Sequence, residues 1–440
     1  MYTSYIGKKF LKLYNEKEGK NLSAEDFFVK IQFPIFFDDE KHLLHVHGST
    51  FFQKVSKEDL SGAKKESIVR LERLQKDINL GKKSGSTYVG YAAEKITEVT
   101  SGQSSNINPE IDKQELYSSW IGEGLSLGVR GGLILFDNEE LLWQIFRGWK
   151  VYRKYLNQTP NLKARQVETW NGQFIYSTFL NFYESPYDFN PPIGGDEEES
   201  GVLSIPTIPW IKLIFALAKK FPKNSFIGNA YVLSKTNSSY GFIKVFLPEI
   251  RKVFELRDEV FLDQSNTILT DEEINSLSSF YNFKEACKLG TIGLKSIEPA
   301  KLREYMPKGS VLYAQGKEYK FSNEESYTNY KLFKIWIIAM LNKTELLNLA
   351  SDVAKALSEF EQPKPDDRGK KVLSTLSQEV RESSNLRLFI DKLTEVLNHA
   401  PTNADAFKNV VEEVLKMPSD NFPLFVTLIR FEYAYLKSNK

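Results

Sequence analysis

The chain has one cysteine, Cys287, in 440 residues, so no internal disulfide can form and stability has to come from packing and hydrogen bonding. No apolar run approaches the roughly 18 residues that a membrane helix needs, and the opening MYTSYIGKKFLKLYNEKEGK lacks the apolar core of a secretion signal. The expectation is a cytoplasmic protein with no membrane partner. Net charge is lacking too: 58 Lys and Arg stand against 57 Asp and Glu. A uniformly basic or acidic character is thereby excluded, and any electrostatic role has to rest on how the charges are distributed. Histidines are few. His42, His45 and His47 share one short stretch, expected as a strand over 43–47, while Cys287 and His399 are isolated. A structural role for them outweighs a metal site. Gly122, Gly124, Gly128, Gly131 and Gly132 do not follow GxGxxG spacing, and GKKSGST from Gly81 is not a phosphate-binding loop. No Ser/His/Asp or Cys/His arrangement stands out, and Glu197–Glu199 reads as a solvated loop. Neither catalysis nor a cofactor is expected.

What is present is helical periodicity, strongest in the last quarter. Leu346, Leu349, Ala350, Val353, Leu357 and Phe360 fall three or four apart, and Leu386, Phe389, Leu393, Val396 and Leu397 repeat the spacing. So do Ala406, Phe407, Val410, Val411, Val414 and Leu415, opened by Asn403 and closed before Pro418. Short breaks between these stretches predict antiparallel neighbours, a bundle of four to six helices. Upstream the pattern is mixed. Helices are expected over 3–18, from Ser23 to about Pro34, over 62–80, from Asn138 to about 157 and over 211–220. Strands are expected at 133–136 and as a hairpin, 231–235 with 240–246. The predicted fold class is an α+β N-terminal body, 1–323, followed by a C-terminal all-α helical bundle, 324–440, with a candidate subdomain junction in the acidic loop 194–201.

The strongest functional signal is charge segregation. Between Leu141 and Val167 there is no acidic residue, yet Arg147, Lys150, Arg153, Lys154, Lys163 and Arg165 occur, with Trp143, Phe146, Trp149, Tyr152 and Tyr155 interleaved. Arg147, Lys150 and Lys154 share one helix face by spacing. A second acid-free run between Ser200 and Pro248 holds Lys219, Lys220 and Lys235 among others. A third basic stretch lies on the helix over 62–80. Unbalanced cations at this density suit a phosphate backbone, against the plainer reading of a solvated face over core aromatics. Two polar loops add candidates for base-edge contacts: Lys82 and Lys83 in 82–87, and Gln103, Asn106 and Asn108 in 101–109. In QVETWNGQ, Trp170 is expected in the core, with Asn171-Gly172 as a turn able to present Gln173.

Three phrases, ETWNGQF at 168–174, LSIPTIPW at 203–210 and YKLFKIWIIAML at 330–341, together with size and architecture, resemble the large subunit of type I CRISPR surveillance complexes (Cascade). The resemblance implies a non-catalytic subunit of an RNA-guided DNA-binding complex. Its partners would be the guide RNA, the target double-stranded DNA, the other Cascade subunits and a helicase–nuclease that it recruits. The body would read a short target-flanking motif (PAM recognition, in antiviral defence) and open the duplex there, and the bundle would line the path of the displaced strand. On composition, Lys82, Lys83, Gln103, Asn106 and Asn108 are the candidates for flank and duplex-opening contacts. Arg147, Lys150, Lys154, Lys163 and Arg165 are those for backbone contacts, supported by Lys219, Lys220 and Lys235. The rival reading is a protein-interaction scaffold of another defence or regulatory complex. Met306, in a turn-rich stretch, is an internal start from which, as in some systems this chain resembles, the bundle could also be made alone.

Overall fold

The computed structural model describes residues 1–46, 48–56, 59–60, 65–81, 84, 86–90, 111–180, 196–197, 201–232, 238–261, 270, 273, 283–307, 316–361, 370–399, 401 and 404–438. They form two compact units, one of Met1–Pro248 with Asn282–Ile292, the other of Glu249–Tyr281 with Gly293–Lys440. The fold is α+β: helices predominate around one five-stranded mixed sheet. The boundary expected at 323/324 falls inside the second unit. No helix is long and apolar enough to cross a membrane among the described residues.

In the first unit α1 (Tyr2–Glu18) ends on Gly19 in the left-handed conformation, as expected from a glycine after the last apolar turn. Ser23 then caps α2 (Ala24–Phe27), which runs through a π turn (Phe28–Gln32) into α3 (Phe33–Phe36). Pro34 stands at the second position of that last turn, where its missing N–H is tolerated. α4 (Glu66–Asn79) and α5 (Lys113–Glu123) follow. The sheet begins with β1 (Leu127–Val129) and β2 (Gly132–Phe136). Asn138 caps α6 (Glu139–Gln158), and α7 (Val167–Phe179) packs on β1 and α6. A two-stranded ribbon pairs β3 (Asp196–Glu197) with β4 (Leu203–Ser204) and leads to α8 (Trp210–Lys220). The hairpin β5 (Ser225–Val232) and β6 (Ser238–Phe246), α9 (Leu247–Phe261), α10 (Phe283–Lys288) and β7 (Thr291–Ile292) complete the series. Strand order is β1-β2-β5-β6-β7, antiparallel except for the β6–β7 pair.

Two sequence expectations are corrected. Residues 43–46 form no strand: Leu43 and Leu44 are both buried, so the chain has no alternating solvent face, and the His42 and Leu43 carbonyls accept the Arg165 and Val167 N–H groups at 2.8 and 3.0 Å. Asn171-Gly172 is not a turn but the middle of α7. A Cβ at Gly172 would stand 2.4 Å from the Gly128 carbonyl oxygen, so glycine is there for close helix–strand approach. The hairpin holds, though β5 starts six residues before its expected first residue, Tyr231.

The second unit contains α11 (Glu324–Leu341), α12 (Glu345–Phe360), α13 (Lys370–Arg381), α14 (Leu386–His399), α15 (Ala404–Lys416) and α16 (Phe422–Ser438). α16 packs on both α11 and α12. Phe333 stacks on Phe431 with ring centres 5.8 Å apart, Tyr330 on Tyr435 at 5.2 Å, and Lys334 pairs with Glu432 at 2.8 Å. Arg381 is buried, held by Glu318 and Glu361 and lying over the Tyr433 ring.

Candidate nucleic-acid interface

The cations of the first acid-free run fall into two kinds. Arg153 is a tie inside the fold. Its guanidinium donates to the Ile35 carbonyl at 2.6 Å, the Lys41 carbonyl at 2.8 Å and the Asn157 side chain at 3.2 Å, with Asp39 at 3.8 Å. Lys41 answers by donating to the Thr159 and Pro160 carbonyls at 3.2 and 2.6 Å, which fastens the 35–42 segment across the end of α6. Lys150, Lys154, Lys163 and Arg165 are exposed, while Arg147 is half-buried beside Gln144. Lys150 and Lys154 have no ion pair among the described residues, and their spacing on α6 puts them on its outer face. The aromatics interleaved with them turn inward instead. Trp149 donates to the Gly124 carbonyl at 2.9 Å, Tyr152 stacks on Trp170 at 5.0 Å, and Phe146 packs against Phe10 at 5.3 Å. This surface therefore offers charge and no stacking platform.

Arg165 is the residue that the backbone singles out. Its φ of +67° is a left-handed conformation that a non-glycine residue adopts at some cost, held here by its N–H bond to the His42 carbonyl. Its guanidinium lies 4.4 Å from the Phe52 ring centre. Arg165, Arg153 and Arg70 all act on buried His42: burial first, then these three positive charges, push its pKa down to about 4. A neutral imidazole under three guanidinium groups marks a locally positive region built from α4, α6 and the segment after α6. Sequence reasoning named Arg165, but it missed the part of His42 and Arg70, which only tertiary contact brings together.

The remaining candidates lie elsewhere. Lys220 pairs with Glu140 at 3.0 Å, at the start of α6, and Lys219 precedes it on α8. At about 1.5 Å per residue, Glu140 stands roughly 20 Å along the helix from Lys154, so Lys219 and Lys220 belong to the opposite end. Cations of the helix over 62–80 are likewise balanced in space, Arg70 by Glu66 at 2.5 Å and Arg73 by Asp59 at 2.6 Å. An acid-free run in sequence is thus not acid-free in three dimensions. Lys82, Lys83, Gln103, Asn106, Asn108, Lys235, His47, Asn403 and Glu198–Glu199 lie outside the described residues.

The first unit also buries two carboxyl groups. Glu123, ending α5, accepts from the Tyr231 hydroxyl at 3.0 Å, and its other oxygen has no hydrogen-bond partner. Burial pushes Glu123 up to about 7, and burial plus the charge of Glu123 pushes Glu168 up to about 8. Asn171, one turn on from Glu168, donates to the Gly124 and Ser126 carbonyls at 2.9 and 2.8 Å. Gln173, expected as a presented side chain, donates instead to the Pro206 carbonyl at 2.6 Å. The two phrases at 168–174 and 203–210 are thereby bonded to each other. Among the described residues no three His, Cys, Asp or Glu side chains gather as metal ligands, and burial pushes the Cys287 thiol up to about 12.

No family model, curated protein or solved structure matches the chain.

Proposed function

We propose that this chain is the large subunit of a type I CRISPR surveillance complex, non-catalytic itself, with an α+β body reading and opening the target flank and a C-terminal helical bundle along the displaced strand. The observation that carries this reading is the set of exposed cations Lys150, Lys154, Lys163 and Arg165, at one end of α6 and on the segment after it, beside the positive region around His42. Cations on an outer helix face and its adjoining loop suit sugar–phosphate contacts, which fix register and orientation without reading sequence. The bonding of ETWNGQF to LSIPTIPW supports the resemblance as well, because its phrases share one place in the fold. Guide-RNA pairing would supply specificity along the target, and the assembled surface would recruit a helicase–nuclease.

Duplex binding by the purified protein over a salt series tests this. Affinity should fall steeply with salt, and changing Lys150, Lys154 and Arg165 to Glu should lower the log–log slope by about one for each phosphate that is no longer neutralised. An unchanged slope would leave a solvated face and favour the protein-interaction scaffold.

A further inference from the structure

A cleft of about 490 Å³ opens between α1 and the start of α5, lined in part by Lys8, Lys12, Lys20, Gln114 and Ser118. No sequence signal pointed to it, since its cations lie in a stretch with acids interspersed. Its walls are rigidly set. A Cβ at Gly7 would stand 1.9 Å from the Ser118 carbonyl oxygen, and one at Gly122 equally close to that of Thr3, so the two helices touch backbone to backbone. Asn15 clamps the connecting turn, donating to the Leu22 carbonyl at 2.9 Å and accepting its N–H at 3.0 Å. Gln114 accepts the Ala24 N–H at 2.9 Å.

Within these walls the polar groups are unevenly satisfied. Lys8 is engaged by Glu115. Lys12 reaches Glu16 only at 3.8 Å with its side chain 80% exposed, and Lys20 touches only the Tyr14 hydroxyl and ring. Ser118 is wholly buried, and its hydroxyl has no hydrogen-bond partner. Two ammonium groups without a close carboxylate and an unpartnered hydroxyl call for a ligand rich in acceptors and negatively charged. Among the described residues the lining holds no aromatic ring on which a base could stack.

We propose that this cleft is a phosphoryl-binding site, with Lys12 and Lys20 supplying the charge and the Ser118 hydroxyl donating to a phosphoryl oxygen. The recognised chemistry is the phosphoryl oxyanion, carried either by a nucleic-acid strand or by a free nucleotide. The site is distinct from the α6 surface and does not rest on the function proposed for it. Isothermal titration of the full chain with ATP and with a short oligothymidine tests the proposal. Lys12→Gln with Lys20→Gln should weaken whichever probe belongs there by about tenfold, with the melting temperature unchanged because both side chains are exposed. Ser118→Ala should weaken the same probe, and Lys150→Gln with Lys154→Gln should leave ATP binding untouched. A loss confined to the oligonucleotide identifies a strand, and one confined to ATP a nucleotide; either supports the site. Failure of both probes to bind the unaltered protein, or equal binding by the Lys12/Lys20 variant, overturns it.

Discussion

Replacing Glu168 by Gln should make the first unit more stable at alkaline pH, not less. Glu168 and Glu123 are 9% and 1% exposed, and both hold their protons well above the ordinary carboxylate range. In the unfolded chain both ionise near pH 4.5, whereas the folded chain keeps the protons until about pH 7 and 8. Below pH 4.5 both states are protonated and nothing is lost. Above it the folded state binds up to two more protons than the unfolded one, so stability falls by about 1.4 to 2.7 kcal/mol per pH unit until both groups ionise. At about 1.4 kcal/mol for each pKa unit, holding Glu168 at about 8 instead of 4.5 corresponds to a penalty on the order of 5 kcal/mol once it is ionised in place. The amide of Glu168→Gln keeps the shape and carries no charge, so it removes that penalty and lets Glu123 ionise more easily. Urea unfolding at pH 5, 7 and 9, followed by tryptophan fluorescence, reads the effect, since Trp149 and Trp170 are buried nearby. The variant should match the unaltered chain within about 1 kcal/mol at pH 5 and exceed it by several at pH 9. A variant less stable at pH 9 would mean that Glu168 is ionised and paired in the fold, and the reasoning would fail.

Other outcomes follow from the same geometry. His42 works in the opposite sense: with its pKa lowered to about 4 by burial and three arginines, it supports stability above pH 6.5 and costs it as pH falls towards 4. His42→Leu should flatten that acid limb, and an unchanged limb would place the titration elsewhere. Gly122→Ala should cost about 3 kcal/mol or more in urea unfolding, because the new methyl meets the Thr3 carbonyl and backbone cannot yield as a side chain would. A fragment starting at Met306 should melt well below one starting at Glu249. It lacks the Leu294 carbonyl that accepts from Trp336 at 3.2 Å and the Tyr305 carbonyl that accepts from Arg430 at 2.8 Å; equal melting would refute this. Alanine at Gln103, Asn106 and Asn108 should weaken binding to correctly flanked targets more than to wrongly flanked ones, by about 1–3 kcal/mol per base contact, and an equal loss would move the flank reader elsewhere.

Several elements could be read locally because their causes are local. The left-handed stop at Gly19, the caps at Ser23 and Asn138, the twenty-residue α6 and the apolar stripes of α12, α14 and α15 each depend on residues within a few positions of one another. The exposed Lys150 and Lys154 were legible for the same reason, since helical spacing assigns a face. Asn171-Gly172 misled because Asn-Gly is a strong turn signal on its own, and only the packing of α7 on β1 shows why a mid-helix position needs glycine.

By itself the sequence determined where the helices run, which of their faces are apolar and which stretches carry cations without acids, all consequences of residue order at short range. The tertiary structure decided which of those cations stay available, because Glu140, Glu66, Asp59 and Asp39 approach them from distant parts of the chain. It also decided that Glu123 and Glu168, ordinary acids in a sequence, share one dry interior, and that Lys12, Lys20 and Ser118 border one cleft. Charge compensation and desolvation act through space, so no local pattern could carry them.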